Sequence, residues 1–220
     1  MKPAFIPRLA ETIKDSGVVA VLVIDHEDDA PRIAEALLKG GINAIELTLR
    51  TPAALPALKR IRQEFPDIIA GVGTILSPDQ VDAARDAGGA FGVSPGVSRR
   101  VLARAAELEF SFAPGIMTPS DIEASLEFDC RLLKFFPAEP SGGLPFLRVI
   151  SAPYAHLGIR FLPLGGLNSQ NMSSYLSDPL VAALGGSWLA PRDVIAAKDW
   201  NKITEVAAQT VKTIHASRNS

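Results

Sequence analysis

Cysteine occurs once in the 220 residues, at position 130, so the chain has no internal disulfide and no site built from several thiolates. A reducing compartment fits that usage. Histidine is nearly as scarce: His26, His156 and His215 are scattered too widely to share a zinc ion. Long apolar runs are missing as well, since no uncharged stretch approaches the ~20 residues of a membrane span. The opening MKPAFIPRLAETIKDSG breaks its apolar residues with Pro3, Pro7, Arg8, Glu11 and Lys14, which is not the pattern of a secretion signal. A surplus of charge is also absent. The 22 basic and 24 acidic residues leave a net charge of -2, with no footprint for nucleic acid or an anionic membrane. The expectation that remains is a cytoplasmic protein with a small, soluble partner.

What the sequence does contain is repetition. Apolar runs with strand character recur at 18–24, 43–49, 68–72, 90–93, 110–113, 131–135, 160–164 and 181–184. Successive starts lie roughly 20 to 29 residues apart, the length that a strand, a helix and two short loops require. Thr51-Pro52, Ser77-Pro78 and Thr118-Pro119 each place a cap residue before a proline suited to the first helical position. Gly40-Gly41 and Gly88-Gly89 mark helix ends. No Pro/Gly/Ser-rich linker interrupts the series. Eight βα units predict an α/β fold, a single (β/α)8 TIM barrel domain over 1–220. Residues 1–16 form its N-terminal helix, amphipathic over 5–15 and capping the barrel mouth; 17–220 form the barrel, and 199–216 close the ring. A doubly wound sheet would show fewer strands for this length.

In such a barrel, functional side chains sit at the C-terminal strand ends and in the loops that follow. Along NAIELTLR at 43–50, Ile45, Leu47 and Leu49 share one face, and Ala44, Glu46, Thr48 and Arg50 share the other. The apolar face belongs against helices, so Glu46 and Arg50 point into the barrel; an internal ion pair between them, or with another buried charge, is the plain alternative to a chemical role. The run RLLKFFP at 131–137 sets one lysine among large apolar side chains. Packing Leu133 and Phe135 on helices sends Lys134 into the lumen with Leu132 and Phe136. The competing reading is a surface lysine on a mis-phased strand. Burial and a nearby arginine such as Arg50 both disfavour the charged amine and enlarge its nucleophilic, neutral share. A neutral amine adds to a ketone to give a Schiff base, whose protonated form is an electron sink for making or breaking a carbon–carbon bond.

Other segments speak to the substrate. Leu164-Gly165-Gly166-Leu167-Asn168 follows the seventh run, and Leu184-Gly185-Gly186-Ser187-Trp188 follows the eighth. Paired glycines let backbone amides close on a phosphate in the loops where this fold recurrently binds one. Gly71-Val72-Gly73-Thr74, with Arg50, is suited to clamping a carboxylate through a hydroxyl and a guanidinium fork. Ser94-Pro95-Gly96 and Pro114-Gly115 are walls of the same site or plain turns. A phosphosugar isomerase would need a second acid or a histidine at a strand end, and His26 has no such companions.

Across 18–200 the chain resembles the 2-keto-3-deoxy-6-phosphogluconate and 4-hydroxy-2-oxoglutarate aldolases, through IELTLRT (45–51), GVGT (71–74), SPG (94–96), PG (114–115), KFFPAE (134–139) and GGSWL (185–189) in that family's order. The resemblance implies that Lys134 forms the Schiff base and that Glu46 is the general acid/base, acting through a bound water. It implies that Arg50 and Thr74 hold the pyruvate carboxylate, with Pro95 and Phe136 beside it, and that Gly165, Gly166, Gly186 and Ser187 hold the phosphate. It also implies a phosphorylated keto acid substrate, no metal or other cofactor, and a homotrimer. One position departs from the pattern. Leu164 stands where similar relatives commonly have threonine, which removes a hydroxyl from the wall and leaves the aldehyde and the substrate epimer open. A related pyruvate-dependent aldolase, or a barrel that binds without turnover, are the alternatives.

Overall fold

The computed structural model of the chain describes residues 7–218. Helix α1 (Pro7–Ser16) leads into strand β1 (Val18–Leu22), and strands and helices then alternate as α2 (Ala30–Lys39), β2 (Ala44–Thr48), α3 (Ala54–Glu64), β3 (Ile69–Gly73), α4 (Pro78–Asp86), β4 (Gly92–Val93) and α5 (Arg99–Glu107). Strands β5 (Phe112–Ala113) and β6 (Gly115–Ile116) follow, then α6 (Pro119–Leu126), β7 (Leu132–Phe135), α7 (Gly143–Ser151), β8 (Arg160–Pro163), α8 (Met172–Leu176), β9 (Leu184–Gly186), α9 (Arg192–Ala196) and α10 (Trp200–Arg218). Each of the eight apolar runs overlaps a strand, and the strand pairs are parallel. This is an α/β fold with a curled parallel sheet.

The pairing departs from one continuous eight-stranded ladder. Six strands run in the order β5-β4-β3-β2-β1-β9, and β6-β7-β8 form a second ladder. The break between β5 and β6 falls on Pro114, which has no N–H to donate, although its carbonyl still accepts from the Lys134 N–H at 2.9 Å. At the other seam, a parallel bridge joins Phe161 of β8 to Val181, just ahead of β9.

Two helix starts match their sequence signals. Ser77 with Gln80 and Thr118 with Asp121 form capping boxes at α4 and α6, satisfying N–H groups that have no partner within the helix. The third start differs: α3 begins at Ala54 with no side-chain cap, and the Thr51 hydroxyl instead donates to the Ile24 carbonyl of the neighbouring β1 loop. Gly41 and Gly88 take left-handed backbones past α2 and α4, as helix-end glycines do. Of the expected first helix, residues 1–6 lie outside the described residues.

Strand alternation sorts the apolar side chains into two layers. Ile45, Leu47, Leu133, Phe135 and Phe161 join the cluster shared with the helices, where each fully buried side chain contributes about 1.5–3 kcal/mol. Ala44, Val93, Leu132 and Leu162 face inward with Ile13 of α1. Helix α1 therefore packs across the strand-start end of the sheet, and the strand ends opposite are left to the polar residues. Among the described residues, no helix is long and apolar enough to cross a membrane.

Candidate active site

Lys134 is the third residue of β7 and Glu46 the third of β2, so the two ladders bring them together from opposite sides of the interior. Both follow from alternation, because the neighbours Ile45, Leu47, Leu133 and Phe135 are taken by the helix-side core. Lys134 is 6% exposed and Glu46 3%, and Nζ lies 3.4 Å from Oε1. That is a long contact, yet neither charge is stable there without the other, since an unpaired buried charge costs several kcal/mol. Glycine at position 73 makes the arrangement possible. A Cβ built on Gly73 would lie 1.8 Å from Oε1 of Glu46, so the carboxylate occupies the volume a side chain would take. On the outer side, the Phe136 ring stands 5.4 Å from Nζ, within cation–π range.

A cleft of about 190 Å³ opens above this pair, lined by Glu46, Thr48, Arg50, Thr74, Pro95, Lys134 and Phe136 on one side. Thr74, the residue after β3, has φ +61°. A β-branched residue in the left-handed region costs on the order of 1–3 kcal/mol, the kind of strain that collects at functional sites. Arg50 lines the cleft from its outer edge. It is exposed at the rim, past the end of β2, where its N–H donates back to the Thr48 carbonyl at 2.7 Å. Among the described residues its guanidinium has no partner, and the buried ion pair of Glu46 is with Lys134.

The far side of the cleft is Val21, Leu164, Gly165, Gly166, Leu167, Gly185 and Ser187. Gly165 and Gly166 take φ of +96° and +82°, conformations open to glycine at little cost. The carbonyls of this loop are held by the protein: Ala138 donates to Leu164 at 2.7 Å, Glu139 to Gly165 at 3.0 Å, and the Asn171 amide to Gly166 at 3.1 Å. The N–H groups of Gly165, Gly166 and Leu167 have no acceptor among the described residues. Free donors on lining residues are groups that could meet an anion. Leu164 is buried, and its side chain fills the space over Gly185, where a Cβ would lie 2.1 Å from Leu164 Cγ.

Of the eleven residues singled out from the sequence, Gly186 is the one that the cleft does not include; Gly185 lines it instead. Gly185 pairs with Val19, an inward residue of β1, whereas the side-chain position of Gly186 is filled by the Trp188 ring at 2.4 Å. Val21, Thr48 and Leu167 also line the cleft without having been singled out. The alternation that places Glu46 inward places Thr48 there too, but its hydroxyl is spent on the Leu22 carbonyl at 3.1 Å. His26 lines a separate cavity with Asp25, Asp29, Ile195, Ala196 and Lys198. Among the described residues, no group of three or more His, Cys, Asp or Glu is arranged to hold a metal ion.

Residues 9–206 match the model of the family described as KDPG and KHG aldolase, where KDPG is 2-keto-3-deoxy-6-phosphogluconate and KHG 4-hydroxy-2-oxoglutarate. The chain belongs to that family. The match begins in α1, ends in α10 and takes in the whole cleft. A 2-dehydro-3-deoxy-phosphogluconate aldolase of Treponema pallidum (strain Nichols) is 38% identical over 204 residues, covering 93% of this chain and 96% of the relative. The KDPG aldolase of Legionella pneumophila, solved with pyruvate captured at low pH as a covalent carbinolamine, is 38% identical with a TM-score of 0.86 over 90% of this chain and 96% of that one. The 2-keto-3-deoxy-6-phosphogluconate aldolase of Zymomonas mobilis ZM4, solved with 3-phosphoglycerate, is 37% identical with a TM-score of 0.86, covering 93% and 95%.

Proposed function

We propose that this aldolase reversibly cleaves 2-keto-3-deoxy-6-phosphogluconate to pyruvate and glyceraldehyde 3-phosphate through a Schiff base on Lys134. The observation that carries the reading is the buried Lys134 amine facing the Glu46 carboxylate at the floor of an open cleft. The relatives' carbinolamine and 3-phosphoglycerate support a pyruvate end and a phosphate end of the same site. Nζ of Lys134 adds to the C2 carbonyl, and Glu46 delivers a proton to the carbinolamine oxygen, which leaves as water. The protonated imine draws the C3–C4 bonding pair into an enamine as the C4 hydroxyl gives up its proton to the Glu46 carboxylate and becomes the aldehyde. Protonation of the enamine at C3 and hydrolysis of the imine release pyruvate. Arg50 and Thr74 hold the carboxylate, Pro95 and Phe136 close the sides, and Ser187 with the Gly165 and Gly166 amides holds the phosphate. No metal or organic cofactor enters these steps.

Leu164 favours a second reading within the same chemistry. Its buried, apolar side chain forms the wall where the aldehyde half would pass, so the C4 epimer or 4-hydroxy-2-oxoglutarate competes as substrate. Pyruvate release from the three substrates, coupled to lactate dehydrogenase with and without EDTA, tests both readings. Metal-independent release is expected, fastest from a phosphorylated substrate. Absence of release from all three would leave a barrel that binds without turnover.

The same reading extends to the architecture. The two ladders act as one closed (β/α)8 TIM barrel forming a single domain over 1–220, joined at Pro114 and at the Phe161–Val181 bridge and capped by α1. The protein works in the cytoplasm as a homotrimer on a small-molecule phosphorylated keto acid, without nucleic acid or membrane partners. Light scattering should then give about three times the chain mass of 23.4 kDa.

A further inference from the structure

Tyr175 and Glu139 take no part in the steps above, yet directly behind the distal loop the buried Tyr175 meets the exposed Glu139 in a half-buried contact. Tyr175, in α8, is 2% exposed, and its hydroxyl donates to Oε1 of Glu139. Burial, together with that carboxylate, holds the tyrosine well above its ordinary pKa, so the hydroxyl remains a donor. Gly143, at φ +64°, leaves room for the pair: a Cβ there would sit 3.0 Å from the Glu139 oxygen and 3.1 Å from the tyrosine oxygen.

Glu139 is not a lining residue, but it braces the loop that is. Its N–H donates to the Gly165 carbonyl at 3.0 Å, and its stem presses on Gly166, where a Cβ would lie 2.5 Å from Glu139 Cβ. Two consecutive glycines with left-handed backbones have little conformational preference of their own. The direction of their free N–H groups is therefore set by what holds them, with Asn171 on one side and Glu139 on the other.

We propose that Tyr175 and Glu139 are positioning residues for the distal anionic group of the substrate: the Tyr175 hydroxyl fixes the Glu139 side chain, Glu139 braces Gly166, and the brace aims the loop amides. The inference rests on the aldolase reading and concerns only the phosphate half of the site. The test compares Tyr175→Phe, Glu139→Ala and Glu139→Gln, the last keeping an oxygen that accepts from Tyr175. KM for the phosphorylated six-carbon keto acid should rise about 5- to 20-fold in Tyr175→Phe and Glu139→Ala with kcat within about threefold, and Glu139→Gln should stay within about twofold of the parent. Deuterium exchange into the pyruvate methyl group, which needs no phosphate, should stay within about twofold in all three. Unchanged KM in both disrupting variants, or an equal loss of exchange and cleavage, overturns the inference. Where Tyr175→Phe does not fold, the contrast between Glu139→Ala and Glu139→Gln decides. Absence of exchange in the parent protein overturns the aldolase reading itself, and this inference with it.

Discussion

The two sides of the cleft are made of different material. The Lys134 side presents charged side chains from the interior of β2 and β7, buried and held by strand register. The Gly165 side presents backbone N–H groups from a loop whose carbonyls accept from the Ala138 and Glu139 N–H groups and the Asn171 side-chain amide. Side chains in the sheet supply reactivity, which needs desolvation and a fixed partner. Under the proposed function, amides in a loop would supply recognition of a terminal anion, which needs only converging donors. Changes on the first side should therefore remove turnover, and changes on the second should shift affinity and substrate choice.

The largest effect belongs to Lys134→Ala, which should lower cleavage by about four orders of magnitude or more, measured as pyruvate release. Next come two ways of striking one carboxylate. Glu46→Gln should slow pyruvate methyl exchange by about 10²- to 10⁴-fold while imine formation continues slowly. Gly73→Ala displaces the same carboxylate without touching substrate, because its Cβ would overlap Oε1, and a loss of about 100-fold in kcat is expected. A fully active Gly73→Ala enzyme would erase the contrast, since the precise seat of Glu46 would then not matter.

On the other side, Leu164→Thr should change the ratio of kcat/KM between the two C4 epimers by about tenfold, with pyruvate exchange unaltered. Ser187→Ala should raise KM for phosphorylated substrate about three- to tenfold at nearly constant kcat. The smallest effect concerns the exposed ion pair of Asp25 with Arg192, which ties the loop after β1 to the start of α9. The hydrogen bond from Arg192 holds the Asp25 carboxyl below its usual range, so the stability it adds is present above a pH of about 3.9 and is lost as pH falls through the lowered native value. Asp25→Asn should lower Tm by less than about 2 °C at neutral pH, with the difference vanishing in acid.

The same division explains what was legible beforehand. Lys134 and Glu46 were readable because strand period 2 ties side-chain direction to position, and their neighbours are strongly apolar. Arg50 lies past Thr48, where the strand has already turned, so strand period alone does not set its direction, although it lines the cleft. The choice between Gly185 and Gly186 depends on their register against Val19, which two identical residues cannot signal. The reason for Gly73 is a carboxylate arriving from β2, and the Thr51 hydroxyl, expected at a helix start, donates to a carbonyl after β1. Both are tertiary effects. The break at Pro114 could have been anticipated from proline's missing donor; the seam between β8 and β9, with no such residue, could not.

The central claim is that the Lys134 amine is the covalent nucleophile toward a 2-keto acid. Incubating the protein with pyruvate and borohydride, followed by peptide mass spectrometry, tests it most directly. One reduced pyruvyl adduct per chain is expected, on the peptide containing Lys134 and absent from Lys134→Ala. Folded protein that gains no adduct, or gains it on another lysine, would contradict it.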